Sequence, residues 1–515
     1  MAVLVDAVRG ALRESVLSGQ IVGRQGAGSE VAAFVATSDP AYHLARWFGI
    51  DWIAALRELK VKDAAGTLRA ALDRDIAALD RLLSEQLDEI FRHPRLLRLE
   101  GSWRGLLWLV KRQPRSQSRI RIRVFNASWK EICRDLERAS EFDQSQMFGK
   151  IYEEQFGIGG GEPFGLLACD YEVRHRPSRD YPTDDIAALS FLASVAASSF
   201  SPVVLGAAPE LLGVQSFVDL TPAADLEVTL RDSEHVRWRQ FTGQEDLRFL
   251  GIVLPRMLAR PPWTDLGCRA DGFRFRHRPG EPARRVWMSA VYGFAAVVLR
   301  AFERNAWPAE LRGAEIGVEA TGGVIDRLPT ERFPSDPPDA DPPRAPLDLA
   351  LTDLQEDQLN HGGLIPLAAL EWLPEACFGA LPSVHRPPRQ TSQTSPTANA
   401  NQRISTQINT LLCACRFAHC VKLMGREMIG SYIEPKEVEV RLQRWLNGYV
   451  GGSGLSRQDS TARYPLRSAS VEVRERRDQP GVYQCAINLV PHHQLDEVGA
   501  GFRLVTDFAQ RPDLP

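Results

Sequence analysis

A run of apolar residues at helical spacing, cut by a proline and resumed around two indoles, constrains this chain more than any other feature. Leu68, Leu72, Ile76, Leu79, Leu83, Leu87 and Ile90 recur every three or four positions, which places one apolar stripe along a single long helix. Pro94 disfavours helical geometry in the residue before it, so that helix is predicted to stop near His93. A second amphipathic stretch follows: Leu96, Leu99, Trp103, Leu106, Leu107 and Leu109, with Glu100, Arg104 and Lys111 interspersed. Trp103 and Trp108 are expected to anchor packing, because an indole buries a large area. The block 91–110 holds no nucleophile beside a base and no ligand cluster, and so points to assembly rather than catalysis.

The remaining chemistry is equally sparse. With 515 residues, 44% hydrophobic and 25% charged, the chain has the composition of a globular protein of two or three domains. A formal charge of −3 gives no footprint for a polyanion, so the basic run Lys111, Arg112, Arg115, Arg119, Arg121 and Arg123 is read as the solvated face of a loop and strand, and nucleic acid is not an expected partner. Asp6, Arg9, Arg13 and Glu14 interrupt the first apolar stretch, which argues against a secretory signal and for a cytoplasmic protein. The windows 191–209 and 286–302 are too short or too interrupted to span a bilayer and read as core elements, so no membrane insertion is expected.

Eight cysteines without a signal peptide read as reduced thiols. In LLCACRFAHCVKLM (411–424), Cys413 and Cys420 share one helix face while Cys415 and His419 share another, so they do not converge on an ion. The loop FGIGGGEPFG (156–165) lacks the Gly-Lys-Ser/Thr ending of a P-loop, and Glu162 stands where a dinucleotide fingerprint needs glycine. It is read as a turn in which backbone approaches backbone. Adjacent acids such as Glu153 and Glu154, or Asp184 and Asp185, point different ways and make no glycosidase pair. No catalytic residue, metal ligand or cofactor site is assigned.

Along the chain, residues 1–20 form a short amphipathic helix, cut by Gly19, Gly23, Gly26 and Gly28 as a flexible stretch. Residues 21–93 are helical, with Asp39 and Pro40 as a cap and first-turn pair. Residues 94–380 alternate β-type runs (Ile120, Ile122 and Val124; 164–171; 249–253; 347–351) with helical segments, a mixed α/β core. Residues 381–403 are a linker rich in Pro, Ser, Thr and Asn. Residues 404–515 carry a helix around 411–429 and close with period-2 segments at Val471 and Val473, at Tyr483, Ile487 and Leu489, and at Phe502 and Leu504, a small antiparallel sheet. The fold class is α/β of the mixed α+β kind, with a helical N-terminal region.

The phrase HPRLLRLEGSWRGLLWLV (93–110) resembles the HP-x-(F/L)-x-x-LE-(S/G)-(A/S)-W-R-G-L signature of the large subunit of the type VI secretion contractile sheath, the TssC or VipB family. The motif residues are His93, Pro94, Leu99, Glu100, Trp103, Arg104 and Gly105. Colinear similarities follow in YEEQFGIGGGEPFGLLACDYE (152–172), with Gly160, Gly161, Pro163 and Gly165; in LASVAASSFSPVVLGAAP (192–209); in WRQFTGQEDLRFLGIVLPRMLARPPW (238–263), with Pro255 and Arg256; in ATGGVIDRLP (320–329); in TANANQRISTQI (397–408); in CRFAHCVKLMGREMIGS (415–431), with Arg416, His419, Lys422, Arg426 and Gly430; and in VPHHQL (490–495). Each motif alone is weak, but the colinear set covers about the last four fifths of the chain.

The resemblance implies a contractile tail sheath-like fold and a structural role. Such a subunit pairs with a small sheath subunit of the TssB/VipA type, self-associates as a helical polymer around an Hcp tube on a baseplate, and contracts to eject the tube. Its final strands are expected to complete neighbouring subunits' sheets, the candidates being Val471, Val473, Tyr483, Ile487, Leu489, Phe502 and Leu504. An N-terminal apolar face at Leu4, Val5, Val8 and Leu12 is the candidate ligand for a ClpV-type ATPase. His93, His419 and His492 are expected to reach backbone carbonyls, and Lys422 and Arg426 to face the tube. The sequence leaves open a non-contracting sheath-like paralogue, the sheath of another contractile injection system, and an α/β enzyme that uses Gly157 to Gly165 as a ligand loop.

Overall fold

The computed structural model describes residues 11–19, 27–113, 120–158, 160–263, 272–275, 277–278, 284–313, 321–331, 344–370, 373–387, 405–428, 435–451, 464–475, 483–491 and 502–508. It divides into two units, one of residues Met1–Leu97 with Pro262–Arg284, the other of Arg98–Pro261 with Arg285–Pro515.

The first unit is helical: α1 (Ala11–Leu17), α2 (Ala27–Ala36), α3 (Pro40–Phe48), α4 (Ile50–Arg57) and α5 (Val61–Phe91). The Asp39 carboxylate accepts from the Ala41 amide while Pro40 opens α3, the cap read from sequence. Gly49 at φ 86° separates α3 from α4. Gly28, assigned above to a flexible stretch, instead sits in the first turn of α2. On α1, Leu12 is buried, and Arg13 grips Asp75 of α5 through Nε at 2.6 Å and Nη2 at 2.5 Å. The Trp47 indole donates to the same carboxylate at 2.8 Å. The helix α5 stops where Pro94 requires, yet Leu72, Ile76, Leu83 and Ile90 of its apolar stripe face solvent.

In the second unit the longer helices are α6 (Pro94–Lys111, which begins before the division), α7 (Trp129–Arg138), α8 (Asp185–Ser199), α9 (Ala290–Asn305), α10 (Asp353–Gly362), α11 (Ile408–Met428) and α12 (Pro435–Asn447). The strands are β1 (Leu167–Val173), β2 (Val203–Ala207), β3 (Leu250–Leu254), β4 (Met257–Leu258), β5 (Trp287–Met288), β6 (Val324–Ile325), β7 (Ile365–Pro366), β8 (Ala368–Ala369), β9 (Ala376–Cys377), β10 (Leu466–Glu475), β11 (Tyr483–Pro491) and β12 (Phe502–Phe508). The central sheet runs β1-β2-β3-β7, all neighbours parallel. Strands β2 and β3 are buried at every position, as a parallel sheet covered on both faces requires. The helix α8 carries the chain from β1 to β2 and buries Leu189, Leu192, Ala193 and Ala196 in the main core.

Both apolar windows refused as membrane spans are core. One holds the end of α8, a left-handed turn at Phe200 and β2; the other holds β5 and most of α9. No helix among the described residues is long and apolar enough to cross a membrane. Two expected strands are absent. Ile120, Ile122 and Val124 belong to no strand, since no main chain pairs with them among the described residues, and 347–351 makes only the single bridge from Leu347 to Met257. The closing sheet is as read: β10-β11-β12, antiparallel, with Val471 opposite Ile487 and Ile487 opposite Leu504. A second core gathers Phe417, Val421, Leu442, Leu446, Ile487 and Leu489 beneath it.

Candidate assembly interface

The helix α6 carries the densest part of the sequence signature and has two distinct faces. Gly101, Gly105 and Leu109 are buried. A Cβ on Gly101 would lie 2.1 Å from the Trp287 carbonyl oxygen, and one on Gly105 would lie 2.4 Å from the Tyr292 ring, so both glycines exist to let α6 approach β5 and α9. Beside them Glu100 accepts from Arg260 Nε at 2.5 Å and Nη2 at 2.9 Å, and from Arg104 Nε at 2.6 Å. Burial works against that carboxylate's charge, but the two guanidinium groups hold its pKa below the usual range.

The opposite face departs from expectation. Trp103 is 65% exposed, and Leu99, Leu107 and Val110 share its side of the helix in solvent. Trp103 is therefore no core anchor in the isolated subunit, because one turn of helix cannot turn both its glycines and its indole inward. Trp108 is half-buried, with the Arg112 guanidinium 3.6 Å above its ring. His93 is exposed, and its Nδ1 accepts from the Arg95 amide at 3.3 Å, so it caps its own helix instead of reaching a carbonyl.

At the end of β3, Pro255 follows a cis peptide bond, and half-buried Arg256 meets the buried carboxylate of Asp348. Its amide and Nε donate to the two oxygens of Asp348, each at 2.8 Å, and its Nη1 lies 3.6 Å from Glu172. Burial pushes the Asp348 carboxyl up to about 6, against the pull of Arg256.

The glycine loop behaves as a tight turn. Gly160 takes φ 82°, and a Cβ on Gly161 would lie 2.2 Å from the Gln155 carbonyl oxygen. Pro163 and Gly165 lead on to β1, and space around Gly165 is open. The loop is clasped by α11. Arg426 donates to the Phe156 and Ile158 carbonyls at 3.2 and 3.0 Å. The Lys422 ammonium lies 4.9, 5.1 and 4.9 Å from the ring centroids of Tyr152, Phe156 and Phe200. Both cations thus turn toward their own subunit. His419, fully buried, bonds through Nε2 to the Ser199 carbonyl at 3.0 Å, the role read for it, and burial pushes its pKa down to about 4. Arg416 lies 6.0 Å from the Phe302 ring.

Cys413 and Cys415 are buried, and burial pushes the Cys413 thiol up to about 12. No group of three or more metal-binding side chains occurs among the described residues. Gly430, Leu4, Val5, Val8 and His492 lie outside them. The cage around Lys422 was not anticipated, although Tyr152 and Phe156 stand one helical turn apart; nothing in the sequence signals the pairing of Arg256 with Asp348, 92 positions away.

Residues 73–385 match the family described as EvpB/VC_A0108, tail sheath N-terminal domain, and residues 397–508 match EvpB/VC_A0108, tail sheath gpW/gp25-like domain. The chain belongs to the VipB family of tail sheath proteins. The type VI secretion system sheath protein TssC1 of Pseudomonas aeruginosa is 32% identical over 441 residues, 85% of each chain. Among solved structures, a chain from a cryo-EM structure of the anti-feeding prophage baseplate is similar at 10% identity and a TM-score of 0.31, over 77% of this chain and 81% of that one.

Within the VipB framework the contacts of α11 acquire a meaning. His419, Lys422 and Arg426 belong to the gpW/gp25-like domain, while Tyr152, Phe156, Ile158, Ser199 and Phe200 belong to the sheath N-terminal domain. The joint is made of a lysine among three rings, an arginine on two carbonyls and one buried histidine. The sheath signature itself divides into residues that seat α6 (Glu100, Gly101, Gly105) and residues, among them His93, Leu99 and Trp103, that the fold leaves outside.

Proposed function

We propose that this chain is the large subunit of a type VI secretion contractile sheath, a structural protein without catalytic activity. It pairs with a small sheath subunit of the TssB/VipA type and polymerises around an Hcp tube on a baseplate. The work is done by rigid-body repacking between an extended and a contracted polymer. The observation that carries this reading is the match to both sheath domains together with 85% coverage of a sheath protein at 32% identity. The glycine loop's clasp by Arg426 of its own chain sits naturally with it.

The sheet β10-β11-β12 is the candidate link between subunits, because among the described residues no strand pairs with the outer edge of β12 and an extended arm adds to such an edge; the outer edge of β10 is taken by α12, whose Gln443 and Glu439 accept from the Val471 and Val473 amides. Ile487 lies on the middle strand and is buried, so proline there would break this subunit's own core; Leu504, on the outer strand β12, is the informative position. The N-terminal segment is the candidate ligand for a ClpV-type ATPase. Its Leu12 is buried, which suits a signal that is covered until the subunit rearranges. The boundaries 1–20, 21–93, 94–380, 381–403 and 404–515 are retained as the working division of the chain. Co-expression with the neighbouring small sheath subunit tests the reading: hollow cogwheel tubules in electron micrographs are expected, and a purely monomeric chain in that experiment would overturn it.

A further inference from the structure

The stretch 120–127, Ile-Arg-Ile-Arg-Val-Phe-Asn-Ala, has strand-forming composition and forms no strand. Among the described residues no backbone-to-backbone hydrogen bond involves any of these eight positions. The stretch is nevertheless held in place. Gln113 Nε2 donates to the Ile120 carbonyl at 3.0 Å, and the Tyr171 hydroxyl donates to the Ala127 carbonyl. Between these tethers Arg121 and Arg123 share Glu162, at 2.7 and 3.2 Å, and the Arg123 guanidinium sits 5.6 Å from the Phe164 ring centroid. Side chains fasten it while its main chain stays unpaired. Val124 and Phe125 are 68% and 58% exposed.

We propose that residues 120–127 form an open docking strand that pairs through its main chain with an acidic, extended segment of a second, non-identical chain. The unpaired amides and carbonyls select an extended partner, since a strand arriving alongside satisfies them in one step. Charge selects its character. From Lys111 to Arg123 the sequence carries six cations and no acid; Arg112 faces Asp326, and Arg121 and Arg123 share the single Glu162, which leaves the segment an excess of positive charge. Charge also disfavours a second copy: antiparallel self-pairing gathers four arginines on one two-stranded ribbon, and the register centred on Ile122 sets Arg121 opposite Arg123. The inference rests on the sheath reading, in which the non-identical chain is the small sheath subunit.

Hydrogen exchange on the full chain, alone and in complex with the small sheath subunit, decides it. The amides of residues 121–126 are expected to exchange about tenfold or more slowly in the complex. Val124→Pro, at an exposed position, is expected to cut recovery of the complex by about tenfold while leaving the far-ultraviolet circular dichroism of the free chain unchanged. If the complex forms and these amides exchange as fast as in the free chain, the docking strand is wrong and the sheath reading stands. If no complex forms at all, both fall. Protection that appears in the free chain and grows with its concentration would assign the strand to a second copy and overturn the proposed partner.

Discussion

Glu100 and Arg260 lie 160 residues apart and meet as a two-point ion pair, with Arg260 Nε at 2.5 Å and Nη2 at 2.9 Å from the carboxylate oxygens. Arg260 is 6% exposed, so removing Glu100 takes two charge-assisted hydrogen bonds from a buried guanidinium. Glu100→Ala is expected to lower unfolding free energy by about 3 kcal/mol in denaturant titrations. A loss below about 1 kcal/mol, the range of surface pairs, would show that the pair does not seat α6.

The glycines of the long helices separate by what lies beside them. Gly101→Ala drives a methyl against the Trp287 carbonyl, and should cost about 2 kcal/mol despite alanine's better helix propensity. Gly66→Ala on α5 meets nothing within 4 Å, and should gain about 0.5–1 kcal/mol. Thermal melts of the two variants should move in opposite directions, and a shared direction would contradict the packing described for α6.

Trp103→Ser should leave the melting temperature of the isolated subunit within the scatter of surface substitutions, about 0.5 kcal/mol, because the side chain is 65% exposed. Tubules should nevertheless be lost when the variant is co-expressed with the small sheath subunit. A destabilised monomer would put the indole back in the core; normal tubules would remove the outer face of α6 from the interface.

Two buried histidines predict acid sensitivity. His419 is pushed down to about 4 by burial, and His175, stacked on His235 with ring centroids 4.1 Å apart, is likewise pushed down to about 4 by burial. A base whose folded pKa is depressed contributes stability that is complete above the ordinary value of 6.5 and is lost as pH falls toward about 4. Stability should therefore drop across that window. His419→Gln keeps a neutral donor for the Ser199 carbonyl and should flatten the drop, by an amount on the order of 3 kcal/mol at its acid end. An unchanged slope in the variant would show that His419 is not a source.

Much of the architecture was legible because local rules decide it. The stop of α5 before Pro94, the Asp39 cap, the three closing strands and the tight glycine turn each follow from residues within a few positions of one another. The reading failed at Trp103, at Gly28 and at residues 120–124, where apolar or glycine content was taken for burial, flexibility or pairing without knowledge of what lies alongside.

The sequence by itself determined the family, the helix boundaries and the absence of a recognisable catalytic motif, because these depend on residue order and short-range stereochemistry. Only the tertiary structure decided which face of α6 is inside, that Arg256 meets Asp348 and Glu100 meets Arg260, and that Lys422 turns into an aromatic cage of its own subunit. Those outcomes depend on pairings across tens to hundreds of residues. Burial and charge neutralisation select such pairings once the chain is folded, and no local pattern records them.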